Sequence, residues 1–132
     1  MNSLAKSTTL NTFDLTAQIL RSSFEVMNEL GVGFLETVYK NSLAYSLKKN
    51  ALKVEIEKPI EVFFQSQIVG FYKPDLIVND SIIVELKCVT ALLPEHQAQV
   101  INYLKATRIS TGLLINFATR NLEYKRLYNP NF

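Results

Sequence analysis

Very little in this sequence can be cross-linked or chelated by sulfur and imidazole. Of 132 residues, one is cysteine, Cys88, and one is histidine, His96. A single thiol cannot form an internal disulfide or a cysteine-based zinc site, and with no thiolate cluster and no second histidine a zinc site is not expected. Sparse cysteine is the usage of a reducing compartment, so a cytoplasmic protein is expected. No apolar run approaches the roughly 20 residues that cross a bilayer, and the opening MNSLAKSTTLNTFD lacks the apolar stretch of a signal peptide. Net charge is also scarce, at +2 with a sequence pI near 8.7. That mild basicity neither requires nor excludes nucleic acid, so charge alone decides nothing. What remains is ordinary globular material, 48% hydrophobic and 20% charged. A chain of this length can bury roughly two-thirds of its surface around one core.

Residues 1–10 are polar and rich in Ser and Thr, and fraying is expected there. Residues 11–132 read as a single domain with no repeat and no linker. A helix is expected from Asn11 or Thr12, with Phe13, Ala17, Leu20, Phe24, Met27 and Leu30 as its stripe and Gly31 as its C-cap. After the short link Gly31-Val32-Gly33 a second helix should run to about Asn50, turning Leu35, Val38, Tyr39, Leu43 and Leu47 inward. Val54 to Phe64 alternates and is rich in β-formers. Ile68 to Val78 reads as a strand or a pair of strands, with Gly70 as a kink. Asn79-Asp80 is a turn, and Ile82 to Val89 is an apolar central strand. Pro94 opens a helix to about Thr107, Gly112 to Phe117 is another apolar strand, and Glu123 to Tyr128 is an edge strand. The order α-α-β-β-β-α-β-β predicts an α+β arrangement, one mixed sheet with helices packed on it.

The charges in the central strand stand out. In Ser81-Ile82-Ile83-Val84-Glu85-Leu86-Lys87-Cys88-Val89, Ile83, Glu85 and Lys87 share one face, while Ile82, Val84, Leu86 and Cys88 share the other. Buried charge without a partner costs several kcal/mol, so the pair needs a reason. An internal ion pair or a half-exposed strand would supply one. The preceding segment, Lys73-Pro74-Asp75-Leu76-Ile77-Val78, offers another. If the turn pairs Val78 with Ile82, Asp75 lies opposite Glu85, with Cβ atoms about 5 Å apart. Two carboxylates so placed repel unless a cation lies between them, and a magnesium ion suits such a site.

Pro74-Asp75 followed by Glu85-Leu86-Lys87 on the next strand resembles the PD-(D/E)XK nuclease motif. Gly33-Phe34-Leu35-Glu36-Thr37-Val38-Tyr39 resembles the signature of the GxxExxY family within that superfamily. Gln99-Val100-Ile101-Asn102-Tyr103 is similar to the QxxxY motif of many members, and Gly112-Leu113-Leu114-Ile115-Asn116-Phe117 to the family's wording in the following strand. The resemblance spans about residues 14–128 and implies a restriction-endonuclease-like core.

It further implies a magnesium-dependent phosphodiester hydrolase, with manganese as a substitute ion, acting on nucleic acid and on DNA rather than RNA. Asp75 and Glu85 would hold the ion with the carbonyl of Leu86, and Lys87 would orient or activate a water and steady the transition-state charge. Glu36 either complements its helix dipole or aims a carboxylate at the site through water; Tyr39 either packs in the core or supports the site. Gln99 would reach the metal site or a substrate phosphate, braced by Tyr103. His96 would lie near the substrate entrance or cap its helix. Lys40, Lys73, Lys105 and Arg108 could flank the cleft, and Lys125 and Arg126 could touch nucleic acid, although each alone reads equally as a solvated charge. Cys88 reads as a small hydrophobe on the core side. The competing expectations are a non-catalytic nucleic-acid-binding or regulatory module that keeps the fold, and a homodimer that needs a second copy to grip DNA.

Overall fold

The structure, a computed structural model, describes residues 11–132; the segment expected to fray, 1–10, lies outside the described residues. Helix α1 (Thr12–Leu30) starts where the Asn11 side chain accepts the Asp14 N–H at 2.8 Å, and it ends at Gly31 with φ +76°, a backbone state that favours glycine. Helix α2 (Glu36–Lys49) follows. The Tyr39 hydroxyl pins the link between them, donating to the Gly31 carbonyl at 2.6 Å and accepting the Phe34 N–H at 3.2 Å.

The inward face of α1 differs from the expected one. Leu15, Ile19, Leu20, Val26 and Met27 are buried, whereas Phe13 is 62% exposed and Phe24 is exposed as well. Both stripes contain Leu20 and Met27, so periodicity alone did not separate them. Contact with the sheet chose the aliphatic stripe, and Phe13 lies instead beneath the Arg126 guanidinium, 4.7 Å from its ring centre. In α2 the expected Tyr39, Leu43 and Leu47 are fully buried, while Leu35 stands outside as the N-cap residue.

The strands are β1 (Val54–Ile56), β2 (Ile60–Phe64), β3 (Gln67–Tyr72), β4 (Leu76–Val78), β5 (Ile82–Lys87), β6 (Thr111–Asn116) and β7 (Glu123–Tyr128), with α3 (Pro94–Thr107) between β5 and β6. The main sheet has the order β1-β4-β5-β6-β7, and β2 and β3 pair apart from it. It is a mixed sheet: β5 and β6 run parallel and the other neighbours antiparallel.

The run Val54–Phe64 is therefore two strands in two sheets. The pairing of β1 with β4 and of β2 with β3 belongs to one long hairpin that keeps its register across the gap between the two ladders; stepping on from Ile56 opposite Leu76 arrives at Ile60 opposite Tyr72. The ladder breaks between, where Pro59 and Pro74 each lack an N–H and Glu57 takes φ +51°. Near Gly70 the register shifts, in keeping with the expected kink.

The sheet has an apolar layer on each face. Leu76, Val78, Ile82, Val84, Leu86, Leu113 and Ile115 pack with α1 and α2, and Cys88 packs against this cluster, as its parity predicts. Ile77, Ile83 and Leu114 pack with Val100, Tyr103 and Leu104 of α3. Helix α3 comes very close to β6 at Gly112, where an added Cβ would stand 2.7 Å from Val100 Cγ1. Val100 is β-branched and buried, so it has little room to yield. Gly112→Ala should cost roughly 1–3 kcal/mol, read as a lower denaturation midpoint with an unchanged urea slope. No helix among the described residues is long and apolar enough to cross a membrane.

Candidate active site

The site begins where β4 starts. Strands β4 and β5 are joined by Asn79-Asp80-Ser81; Asn79 and Asp80 take positive φ, and the Ser81 N–H donates to the Val78 carbonyl at 2.9 Å. This turn sets Val78 opposite Ile82 and Leu76 opposite Val84. One step further, Asp75 and Glu85 clasp each other's strands. The Asp75 N–H donates to Glu85 Oε1 at 3.0 Å, and the Leu86 N–H donates to Asp75 Oδ2 at 2.8 Å. Each carboxylate thus has one oxygen fixed by a backbone donor of the opposite strand.

The ladder also prepares the Leu86 carbonyl. The Lys87 carbonyl faces β6, where it accepts the Phe117 N–H at 2.8 Å, so the Leu86 carbonyl turns the other way, toward β4. The continued register would place Pro74 there, and proline has no N–H to offer.

Electrostatics oppose a second negative charge on the pair. Glu85 is only 5% exposed. Burial, reinforced by the charge of Asp75, pushes its pKa up to about 8. Burial also raises the Asp75 pKa, partly opposed by the Leu86 N–H and by the charges of Lys40 and Lys87. Glu36, in the first turn of α2, has its pKa raised by partial desolvation of its carboxyl and then by Asp75. Glu36 and Lys87 therefore share the field of the acidic pair, Lys87 with the opposite sign. On the α3 side, Tyr103 is buried and its pKa is pushed up to about 12, by desolvation and then by the charges of Glu85 and Asp75. The Gln99 amide donates to its hydroxyl at 3.1 Å.

The other expected residues have partners or positions of their own. Tyr39 is sealed in the core, stacked on Phe117 at 5.0 Å, with its hydroxyl spent on the α1–α2 link. His96 accepts the Leu93 N–H on Nδ1 at 2.9 Å and caps the start of α3. Lys40 is not a free cation at a cleft: it is 8% exposed and ion-paired with Glu57, whose N–H donates to the Asp75 carbonyl. The Arg126 Nε donates to Thr16 Oγ1 at 2.9 Å, which ties it to α1. Lys73, Lys105 and Lys125 are exposed, and the Arg108 guanidinium lies over the Phe132 ring.

One residue without an expected role matters locally. Asn116 ends β6 beside Lys87 and is 2% exposed. Its side chain donates to the Val89 carbonyl at 2.8 Å and accepts the N–H groups of Val89 and Ala118, each at 3.1 Å. The chain from Lys87 toward α3 is fixed there. Asn116→Ala should lower stability by roughly 1–3 kcal/mol, because partly buried backbone groups of Val89 and Ala118 lose their partners; a thermal melt beside wild type measures it.

The donor set fits a hard divalent ion: two carboxylates and a carbonyl turned toward Pro74, all oxygen donors, with the Cys88 sulfur on the opposite face. Among the described residues, no three His, Cys, Asp or Glu side chains are grouped to hold a metal, so backbone and water oxygens would have to complete the shell.

A mixed sheet flanked by helices, with a proline-aspartate at one strand end and Glu-x-Lys on the next, is the layout of a restriction-endonuclease-like protein. A family model described as PD-(D/E)XK nuclease superfamily matches residues 13–127. The chain belongs to the PD-(D/E)XK nuclease superfamily, whose members generally use divalent metals and whose name points to nuclease activity on nucleic acid. Among solved structures, the crystal structure of SSO0001 is similar with a TM-score of 0.56 at 21% identity, over 71% of this chain and 50% of that one. The chain thus spans about half the length of that protein, and the likeness concerns the fold alone. No curated protein matches the chain.

Proposed function

We propose that this chain is a magnesium-dependent phosphodiester hydrolase of the GxxExxY group, acting on nucleic acid with DNA ahead of RNA. The observation that carries the reading is the reciprocal clasp of Asp75 and Glu85, two carboxylates held by each other's strands, with burial and their mutual charge raising the pKa of Glu85. Asp75, Glu85 and the Leu86 carbonyl would hold the ion, with manganese as a substitute. When bound, the ion supplies Lewis acidity toward a phosphoryl oxygen and a water of lowered pKa.

The chain's own residues do the rest. Lys87, projecting from the same strand face as Glu85, offers an ammonium to the charge that develops on the phosphoryl oxygens. Glu36 accepts a proton of the attacking water and orients it from the α2 side. Gln99 positions a substrate phosphate, and Tyr103 holds Gln99 in place through its hydroxyl. Tyr39 and His96 serve the site indirectly, by fixing the starts of α2 and α3.

The test is cleavage of single-stranded and duplex DNA, and of RNA, with magnesium or manganese, comparing wild type with Asp75→Ala. Metal-dependent cleavage lost in Asp75→Ala is the expected result. Equal cleavage by both proteins would place the activity elsewhere. Salt-dependent DNA binding that needs no metal and survives Glu85→Ala, without cleavage, would mark a non-catalytic binding module instead.

A further inference from the structure

Lysine is almost never fully buried unless it is paired. Lys40 is buried, and its ammonium is ion-paired with Glu57. The fold itself has little need of that pair. The Glu57 side chain is half exposed, and replacing an ion pair withdrawn from water by apolar side chains of similar size is often neutral for stability. What sets the pair apart is what it joins.

One end of the pair is helix α2. Lys40 lies four residues after Glu36, so the two share a helix face. A lysine so placed commonly pairs with that glutamate. Here, among the described residues, Lys40 pairs with Glu57, and no ion pair includes Glu36. The other end is the main chain of Asp75. Glu57 stands in the gap between β1 and β2 at φ +51°, and its N–H donates to the Asp75 carbonyl at 3.1 Å. Asp75 lies one residue before β4, so this bond ties its carbonyl to the neighbouring strand just past the end of the ladder. Burial raises the pKa of Asp75 and of Glu36, and the charge of Lys40 is among those that oppose the rise.

We propose that Lys40 is a positioning residue of the candidate active site: through Glu57 it couples α2 to the main chain of Asp75, and so fixes where Glu36 stands relative to the acidic pair. The part given to Glu36 rests on the function proposed above; the coupling itself does not. With the pair broken, Tyr39, Leu43 and Leu47 of α2 keep their apolar packing with Leu76 and Val78 of β4. The polar link is lost, and Glu36 orients the attacking water less well.

Amide hydrogen exchange and single-turnover cleavage of DNA at saturating magnesium, in Lys40→Met and in Glu57→Met, test the coupling. In each variant the Glu57 amide should exchange about tenfold faster or more, while the β6 amides keep their protection. Cleavage should fall by about 10–100-fold in each, and the double variant should lose no more than either alone. In a Glu36→Gln background, Lys40→Met should cost less than about twofold further, a sparing that a general loss of structure would not give. If Lys40→Met fails to fold, Glu57→Met breaks the pair from its half-exposed end. A Glu57 amide that keeps its protection in the folded variants overturns the coupling. Faster exchange with unchanged cleavage, or the same loss with and without Glu36, overturns the positioning role. Wild type that cleaves nothing counts against the proposed activity; faster exchange in the variants then sustains the coupling, and unchanged exchange overturns it.

Discussion

Glu85→Gln should make the metal-free protein more stable at pH 8 while abolishing cleavage. The substitution keeps an oxygen that accepts the Asp75 N–H and removes a charge that burial and Asp75 both oppose. The sign follows from linkage. A carboxyl whose pKa is raised from 4.5 to about 8 on folding favours the folded state fully below the unfolded value, and that contribution is lost as pH rises through the folded one. Metal-free wild type should therefore lose stability between about pH 4.5 and 8, and Glu85→Gln should flatten that slope. The linkage ceiling is about 5 kcal/mol. Relaxation around the carboxylate reduces the expected gain to roughly 1–3 kcal/mol at pH 8. Urea melts in chelator at several pH values measure it. Cleavage, which needs both carboxylates, should fall by about a thousandfold or more. A variant less stable than wild type at pH 8 would show that Glu85 is satisfied without a cation.

Lys87→Met should lower cleavage by about 10²–10⁴-fold and leave cation binding in place. The side chain lies within the field of Glu36, Asp75 and Glu85, and no ion pair among the described residues includes it. Its role in the proposal is charge toward the substrate. Lys87→Arg separates that from proton transfer, because guanidinium keeps the charge and cannot give up a proton at working pH. Single-turnover cleavage at saturating magnesium should recover at least about tenfold in Lys87→Arg relative to Lys87→Met. Equal loss in both variants would assign Lys87 a proton-transfer role. No loss in either would remove it from the mechanism.

The central pair was legible because its geometry is local. Two residues that tolerate positive φ, Asn79 and Asp80, fix a short turn, and a turn that sets register also sets which side chains oppose. Alternation along Ile82–Cys88 then assigned faces that the two core clusters reproduce. The stripe of α1 was not legible, since that helix is apolar around much of its circumference and only the sheet decides which stripe is buried. The split of Val54–Phe64 turned on Pro59 and Pro74, which face the same interruption from two strands 15 residues apart. Lys40, Arg126 and Asn116 have partners in Glu57, Thr16 and Val89. Nothing in their own neighbourhoods announces those pairings, so each looked like a surface charge or an ordinary strand residue.

Calorimetric titration of manganese into the chelator-treated protein near pH 7, repeated in two buffers of different ionisation enthalpy, tests the clasp most directly. Binding should release close to one proton, because Glu85 holds its proton until about pH 8 and must give it up to act as a ligand. Glu85→Gln should abolish both the heat and the proton release. Binding of equal strength in Glu85→Gln, or no binding to wild type at millimolar metal, would contradict the account.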